Sequence, residues 1–170
     1  MVASSANAAV ATANRYTTCQ EGMCLKYVHI WLEIGSLYPT AISAWNHARY
    51  RHAGSTPPRG APTFWADGST GAGHIALSLG GGNIRSTDVY SSYHVSSVPL
   101  TWIRSNWGLP YLGWSEDLNG VNIPWLRTLS IPINVSLSAV QAAAKSDPRL
   151  PTGTKTHAKD VLPVERALVH

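Results

Sequence analysis

Two side chains have the type and setting that nucleophilic catalysis requires. Cys24 follows Gly22 and Met23 and begins a run with helical spacing. At the first turn of a helix, unpaired amides and the helix dipole stabilise a thiolate. Gly22, two residues ahead, lets the chain enter that helix tightly and leaves the sulfur reachable. His74 opens an alternating segment after Gly71, Ala72 and Gly73, small residues that leave an imidazole uncrowded and accessible as a base. A thiol and an imidazole that meet in space make a nucleophile and its base, and the ring then needs a polar group behind it to fix its tautomer. Ser86 and Asp88 point to the same side of the next segment by period two. Asp88 is the preferred orienter because a carboxylate stabilises imidazolium; Ser86, nearer along the strand, is the alternative and accepts the imidazole proton more weakly.

The elements that must position these groups are readable from periodicity. Leu25, Val28, Trp31 and Leu32 fall at three- and four-residue steps, which predicts a helix over 23–34 with Gly35 as its stop. A second helix is expected over 43–50, ended by the Gly54, Pro57, Pro58 stretch. Pro62 to Ala66 reads as a short strand and Asp67 to Gly73 as a connector. His74 to Leu79 and Asn83 to Thr87 read as strands joined by Gly80, Gly81 and Gly82. Connectors this short cannot hold a crossover helix, so the strands form an antiparallel meander. On the first of them Ile75, Leu77 and Leu79 face the core and His74, Ala76 and Ser78 the opposite, polar side. Leu100 to Trp107 is expected to hold a short helix starting at Thr101, and Leu112 to Trp114 an edge strand.

Composition narrows the class. The chain has 170 residues, 44% hydrophobic and 13% charged, enough apolar content to bury a core. Its formal charge of +4 is carried by scattered residues, which favours an anionic partner without pointing to nucleic acid. No window approaches the roughly 18 apolar residues of a membrane span. Residues 1–15, rich in small side chains, read as a flexible arm that lacks the basic start and apolar centre of a secretion signal. From residue 126 the composition turns to proline, serine and an alanine run at 142–144, which is linker chemistry. Residues 160–170 regain helical spacing, as if leading into a further module.

The segments GMCLKYV (Gly22 to Val28) and GHIALSLGGGNIRSTD (Gly73 to Asp88), in this order, resemble the CHAP and NlpC-like peptidoglycan hydrolases, papain-like amidases and peptidases common among bacteriophage lysins. PRGAPTFWA looks like the strand that precedes the family's histidine strand, without its usual Gly-Asp start. The resemblance spans about residues 20 to 120 and implies an α+β, papain-like fold in which an N-terminal helix carrying the cysteine packs on an antiparallel sheet carrying the histidine. It implies a cysteine peptidase or amidase domain over 16–125, with 126–170 a linker and tail leading toward a wall-binding module. The implied reaction is cleavage of an amide in the bacterial wall peptide, with Cys24 as nucleophile, His74 as base and no cofactor or metal. Counting along the NlpC-like hairpin lands on Ser86 rather than Asp88 as the third member. Peptidoglycan is then the partner, the site of action the cell wall, and the protein a monomer with no membrane span. Trp65 and Trp114 are assigned to substrate contact.

Other readings use the same residues. With Trp102 and Trp107, those two tryptophans would form the ligand surface of a noncatalytic wall-binding or virion structural protein on this fold. Cys19, Cys24, His47 and His52 could be read as zinc ligands, but the interval between Cys24 and His47 is long for a compact finger. Glu116 and Asp117 could suggest a glycosidase, yet neighbours on an extended chain face opposite ways, and a closing turn is the better reading.

Overall fold

Where the sequence led to a flexible arm, Ala6–Asn14 forms a helix, α1. Ser5 caps it, its hydroxyl accepting a hydrogen bond from the Ala8 amide at 3.1 Å. Ala9, Val10 and Ala13 are buried. Small residues make a poor apolar stripe in sequence, but here they allow close docking. A Cβ on Gly60 would lie 2.8 Å from that of Ala6, and Gly60 sits at a φ of +78°, so only glycine fits the contact. The computed structural model of the protein describes residues 2–66, 68 and 70–127. Residues 128–170 lie outside the described residues, and with them the expected linker features at 142–144 and the helical spacing of 160–170.

Helix α2, Cys24–Leu32, follows the predicted spacing, with Cys24, Leu25, Val28, His29, Trp31 and Leu32 buried. It ends at Glu33, which takes the left-handed conformation in place of the expected Gly35 stop. Helix α3, Ala41–His47, starts earlier than expected because Thr40 caps it, accepting from the Ser43 amide at 3.1 Å.

The strands are β1 (Arg51–Ala53), β2 (Pro62–Trp65), β3 (His74–Gly80), β4 (Asn83–Thr87) and β5 (Val95–Pro99), followed after helix α4 (Trp102–Trp107) by β6 (Tyr111–Ser115). They form one six-stranded sheet in the order β1-β6-β2-β3-β4-β5, every neighbouring pair antiparallel. The architecture is mixed α+β with an antiparallel sheet, and the central meander β2-β3-β4 is as the short connectors required. Strand β6 is interior, not the edge strand expected, because the chain returns after α4 to fill the gap between β1 and β2. A small hairpin of β7 (Asp117–Leu118) and β8 (Val121–Asn122) and a turn of helix, α5 (Pro124–Arg127), close the described chain.

The sheet is covered on both faces, which corrects the assignment of a polar face to β3. Ile75 and Leu77 join Val28, Trp31, Leu32 and Phe64 in one core. Ala76 joins Trp65, Ile84, Val98 and Ile103 in a second, roofed by Trp102 and Trp107 of α4. His74 is therefore buried rather than freely accessible. Leu126 is also buried, so residue 126, where the composition placed the start of a linker, packs into the core.

Glu116 and Asp117 both lie in the interior. Glu116 meets His52 at 2.7 Å, and Asp117 accepts from the Arg49 and Tyr50 amides at 3.0 and 3.1 Å, pinning the chain between α3 and β1. Among the described residues no helix is long and apolar enough to cross a membrane. Ser5→Ala is expected to lower stability by about 1 kcal/mol in chemical denaturation, the cost of a lost cap, whereas a disordered arm would leave the midpoint unchanged.

Candidate active site

Cys24 is the first residue of α2, and the residue before it, Met23, makes no side-chain cap. The backbone amides of Leu25, of Cys24 itself and of Ile75 on β3 lie near enough to the sulfur to favour its ionised form. The Ile75 contact places the thiol against the first peptide of β3, immediately after His74. Those donors favour a thiolate, but burial outweighs them and pushes the thiol up to about 11. The sequence reading had the helix terminus lowering it; desolvation reverses the sign. Both cysteines are free thiols.

His74 is held from three sides. Its backbone pairs with Trp65 across β2 and β3. Its ring packs edge-on against Trp107, centroids 5.0 Å apart at 88°, and lies 6.0 Å from the ring of Trp65. Gly73 before it is needed as glycine: its φ is +68°, and a Cβ would stand 2.8 Å from the carbonyl oxygen of Trp65. Burial lowers the imidazole to about 3, so the ring is neutral in the resting protein.

The two hydrogen bonds of Ser86 accommodate a tautomer suited to a base. His74 Nε2 lies 2.8 Å from Ser86 Oγ. The single hydroxyl proton of Ser86 is directed to the carbonyl oxygen of Thr87 at 3.2 Å. With the hydroxyl proton on Thr87, Ser86 accepts from Nε2–H, which leaves Nδ1 unprotonated and able to take a proton.

Asp88, preferred from chemistry as the orienter, turns elsewhere. Strand β4 ends at Thr87, and Asp88 has a φ of +60°, which breaks the alternation that would have put it on the side of Ser86. Its carboxylate accepts from the Gly22 amide at 3.3 Å, the Tyr93 amide at 3.0 Å and the Cys19 thiol at 3.5 Å. Trp65 and Trp114, assigned to substrate contact, are buried and offer no platform. Trp65 is fully enclosed beside Tyr111; Trp114 stacks on His52 at 3.8 Å and donates to Ser55 Oγ at 2.8 Å.

A cleft of about 200 Å³ opens beside the sulfur, lined by Cys24, Lys26, His29, Tyr38, Thr40 and Gly73 together with their neighbours. Lys26 is the one charged residue of that lining, apart from any charge on His29. The 36–41 segment on the opposite wall carried no sequence signal for this role, because it is assembled by the turn between α2 and α3. Trp107 was likewise missed as a neighbour of His74, since its contact depends on how α4 folds back. Among the described residues, no group of three or more His, Cys, Asp or Glu side chains could hold a metal ion. His47 stacks on Tyr38 and His52 is engaged by Glu116.

No protein-family model matches the chain, and no curated protein matches it either.

The neutral, buried His74 has a pH signature. Between about pH 6.5 and 3 the unfolded chain binds a proton here that the folded protein does not, so stability falls as the pH is lowered through that window, by at most about 1.4 kcal/mol per pH unit. His74→Gln is expected to flatten this slope in denaturation curves taken from pH 7 to 4. An unchanged slope would mean that His74 is charged when folded.

Proposed function

We propose that this protein is a cysteine-dependent amidase or peptidase acting on the peptide of bacterial peptidoglycan, papain-like in design and similar to the CHAP and NlpC-like hydrolases. The observation that carries the reading is the junction of a helix-terminal thiol with the first peptide of a strand whose leading residue is a tautomer-fixed histidine. The quoted segments around Cys24 and His74, in that chain order, supply the substrate class.

In the proposed reaction the substrate amide enters the cleft beside Cys24. The thiol transfers its proton to His74 Nδ1 as the sulfur attacks the carbonyl carbon, forming the C–S bond and a tetrahedral oxyanion. The uncapped amides at the start of α2 are the donors for that oxyanion. The imidazolium then gives its proton to the departing amine as the C–N bond breaks. Water attacks the thioester, passing a proton through His74 to the sulfur, and the carboxylic product leaves. Because the resting thiol and imidazole are both neutral, proton transfer accompanies attack instead of preceding it. Ser86 stabilises the productive tautomer without adding a charge, so the imidazolium exists only transiently. The role is that of an enzyme acting at the wall with no cofactor in any of these steps.

A noncatalytic wall-binding role would use the tryptophan surface, of which Trp65 and Trp114 are buried and Trp102 and Trp107 are partly exposed. Cys24→Ala is expected to fold, as read by circular dichroism, and to lose clearing of a purified peptidoglycan suspension; undiminished clearing would refute the assignment. Ser86→Ala should keep the fold and lower kcat by about tenfold, the equivalent of ~1.4 kcal/mol for a neutral hydrogen bond, measured on soluble muropeptides. Full activity of that variant would remove Ser86 from the machinery.

A further inference from the structure

Asp88 is free of the histidine and lies where three segments meet. Cys19 and the residues before it run beside the β4–β5 connection: Val95 N donates to Thr17 O at 3.0 Å, Cys19 N to Tyr93 O at 2.8 Å, and Thr18 bridges His94. This short ladder stops at Cys19, and the chain must then turn through Gln20 to Met23 to start α2. Asp88 spans that turn. One carboxylate oxygen takes the Gly22 amide; the other takes the Tyr93 amide and the Cys19 thiol, while the Asp88 amide itself donates to His94 O at 2.6 Å. Gly22 is exposed and has a φ of +71°; within the turn the Met23 amide donates to Gln20 O at 3.3 Å, and the Asp88 carboxylate, together with Glu21 accepting from Ser92 at 2.6 Å, ties the turn to the β4–β5 connection.

We propose that Asp88 is a positioning residue for the nucleophile: it clamps the turn that delivers Cys24 to β3, and acts on the sulfur rather than on the imidazole. The proposal deepens the hydrolase reading and rests on Cys24 being its nucleophile. The left-handed backbone of Asp88 serves this role, because an extended residue there would continue β4 and point its side chain to the Ser86 face of the sheet. The groups that face the carboxylate or its ladder are the Cys19 thiol, Glu21 through Ser92, and His94, which bonds Ser91. The charge of Asp88 also reaches Cys24, where it opposes thiolate formation alongside burial. The clamp therefore holds the turn that leads to the sulfur, and its charge adds to the burial that disfavours the thiolate.

The test compares Asp88→Ala and Asp88→Asn in the full chain with two readouts. The first is iodoacetamide alkylation of Cys24, followed by peptide mapping from pH 6 to 11, which needs no wall substrate. The second is kcat and KM on soluble muropeptides. Removing the charge should move the Cys24 alkylation profile to lower pH in both variants. Loss of the clamp in Asp88→Ala should lower kcat by about tenfold or more with KM changed less than about threefold, and Asp88→Asn, which keeps an acceptor, should recover part of kcat. An unshifted alkylation profile in Asp88→Asn, or Asp88→Ala turnover within about twofold of wild type, would overturn the proposal. If Asp88→Ala does not fold, Asp88→Asn decides by the same alkylation criterion. A purely structural role would lower stability and leave the profile where it is. Absence of turnover in the wild-type protein would count against the hydrolase reading and leave the alkylation result to judge the clamp.

Discussion

The site depends on a single seam, where the first turn of α2 lies against the first peptide of β3. A sulfur at a helix start can be reactive only if something polar meets it there, and the Ile75 amide does so from the strand. The same strand begins with His74, one residue before that contact, with its ring packed against Trp65 and Trp107 on the side of the second core. The seam is held on the apolar side by Val28, Trp31 and Leu32 packed over Ile75 and Leu77. Removing that packing would cost each group its partner, because neither the helix nor the strand has an independent hold on the other's leading residue.

Burial at this seam sets the electrostatics. It favours the uncharged form of both groups, moving the thiol up and the imidazole down, and so opposes a resting thiolate–imidazolium pair. A neutral orienter suits such a site. A carboxylate behind His74 would pull the ring toward its charged form, while the Ser86 hydroxyl only selects a tautomer. The carboxylate that the chain does supply, Asp88, is placed on the sulfur's side of the junction. In the proposed reaction this leaves proton transfer to the moment of attack.

How much of this could be read in the sequence follows the range of the interactions involved. The spacing from Cys24 to Leu32 and the short glycine connectors of the meander are local, and both elements lie where periodicity put them. Helix α1 was missed because alanines give a weak stripe; its one local signal was Ser5 as a cap. The interior place of β6 and the second core beneath β3 were invisible, since each is made by chain returning from distant positions to cover a strand already formed. That return is why His74 is enclosed by Trp107, and why Trp65 and Trp114 are structural. Period two carried the reading of Ser86 and Asp88 correctly only as far as the strand ran. A left-handed residue directly after Thr87 swung the carboxylate away, and nothing in an Asp–Val pair announces that turn.

The proposed reaction passes through a covalent bond between Cys24 and the acyl part of the substrate. Mixing the protein with a soluble muropeptide, quenching in acid within milliseconds and mapping peptides by mass spectrometry tests it directly. The account predicts the acyl mass on the peptide containing Cys24, rising and decaying in step with turnover. An acyl group found on another residue, or product formed at the normal rate with Cys24 unmodified throughout, would contradict it.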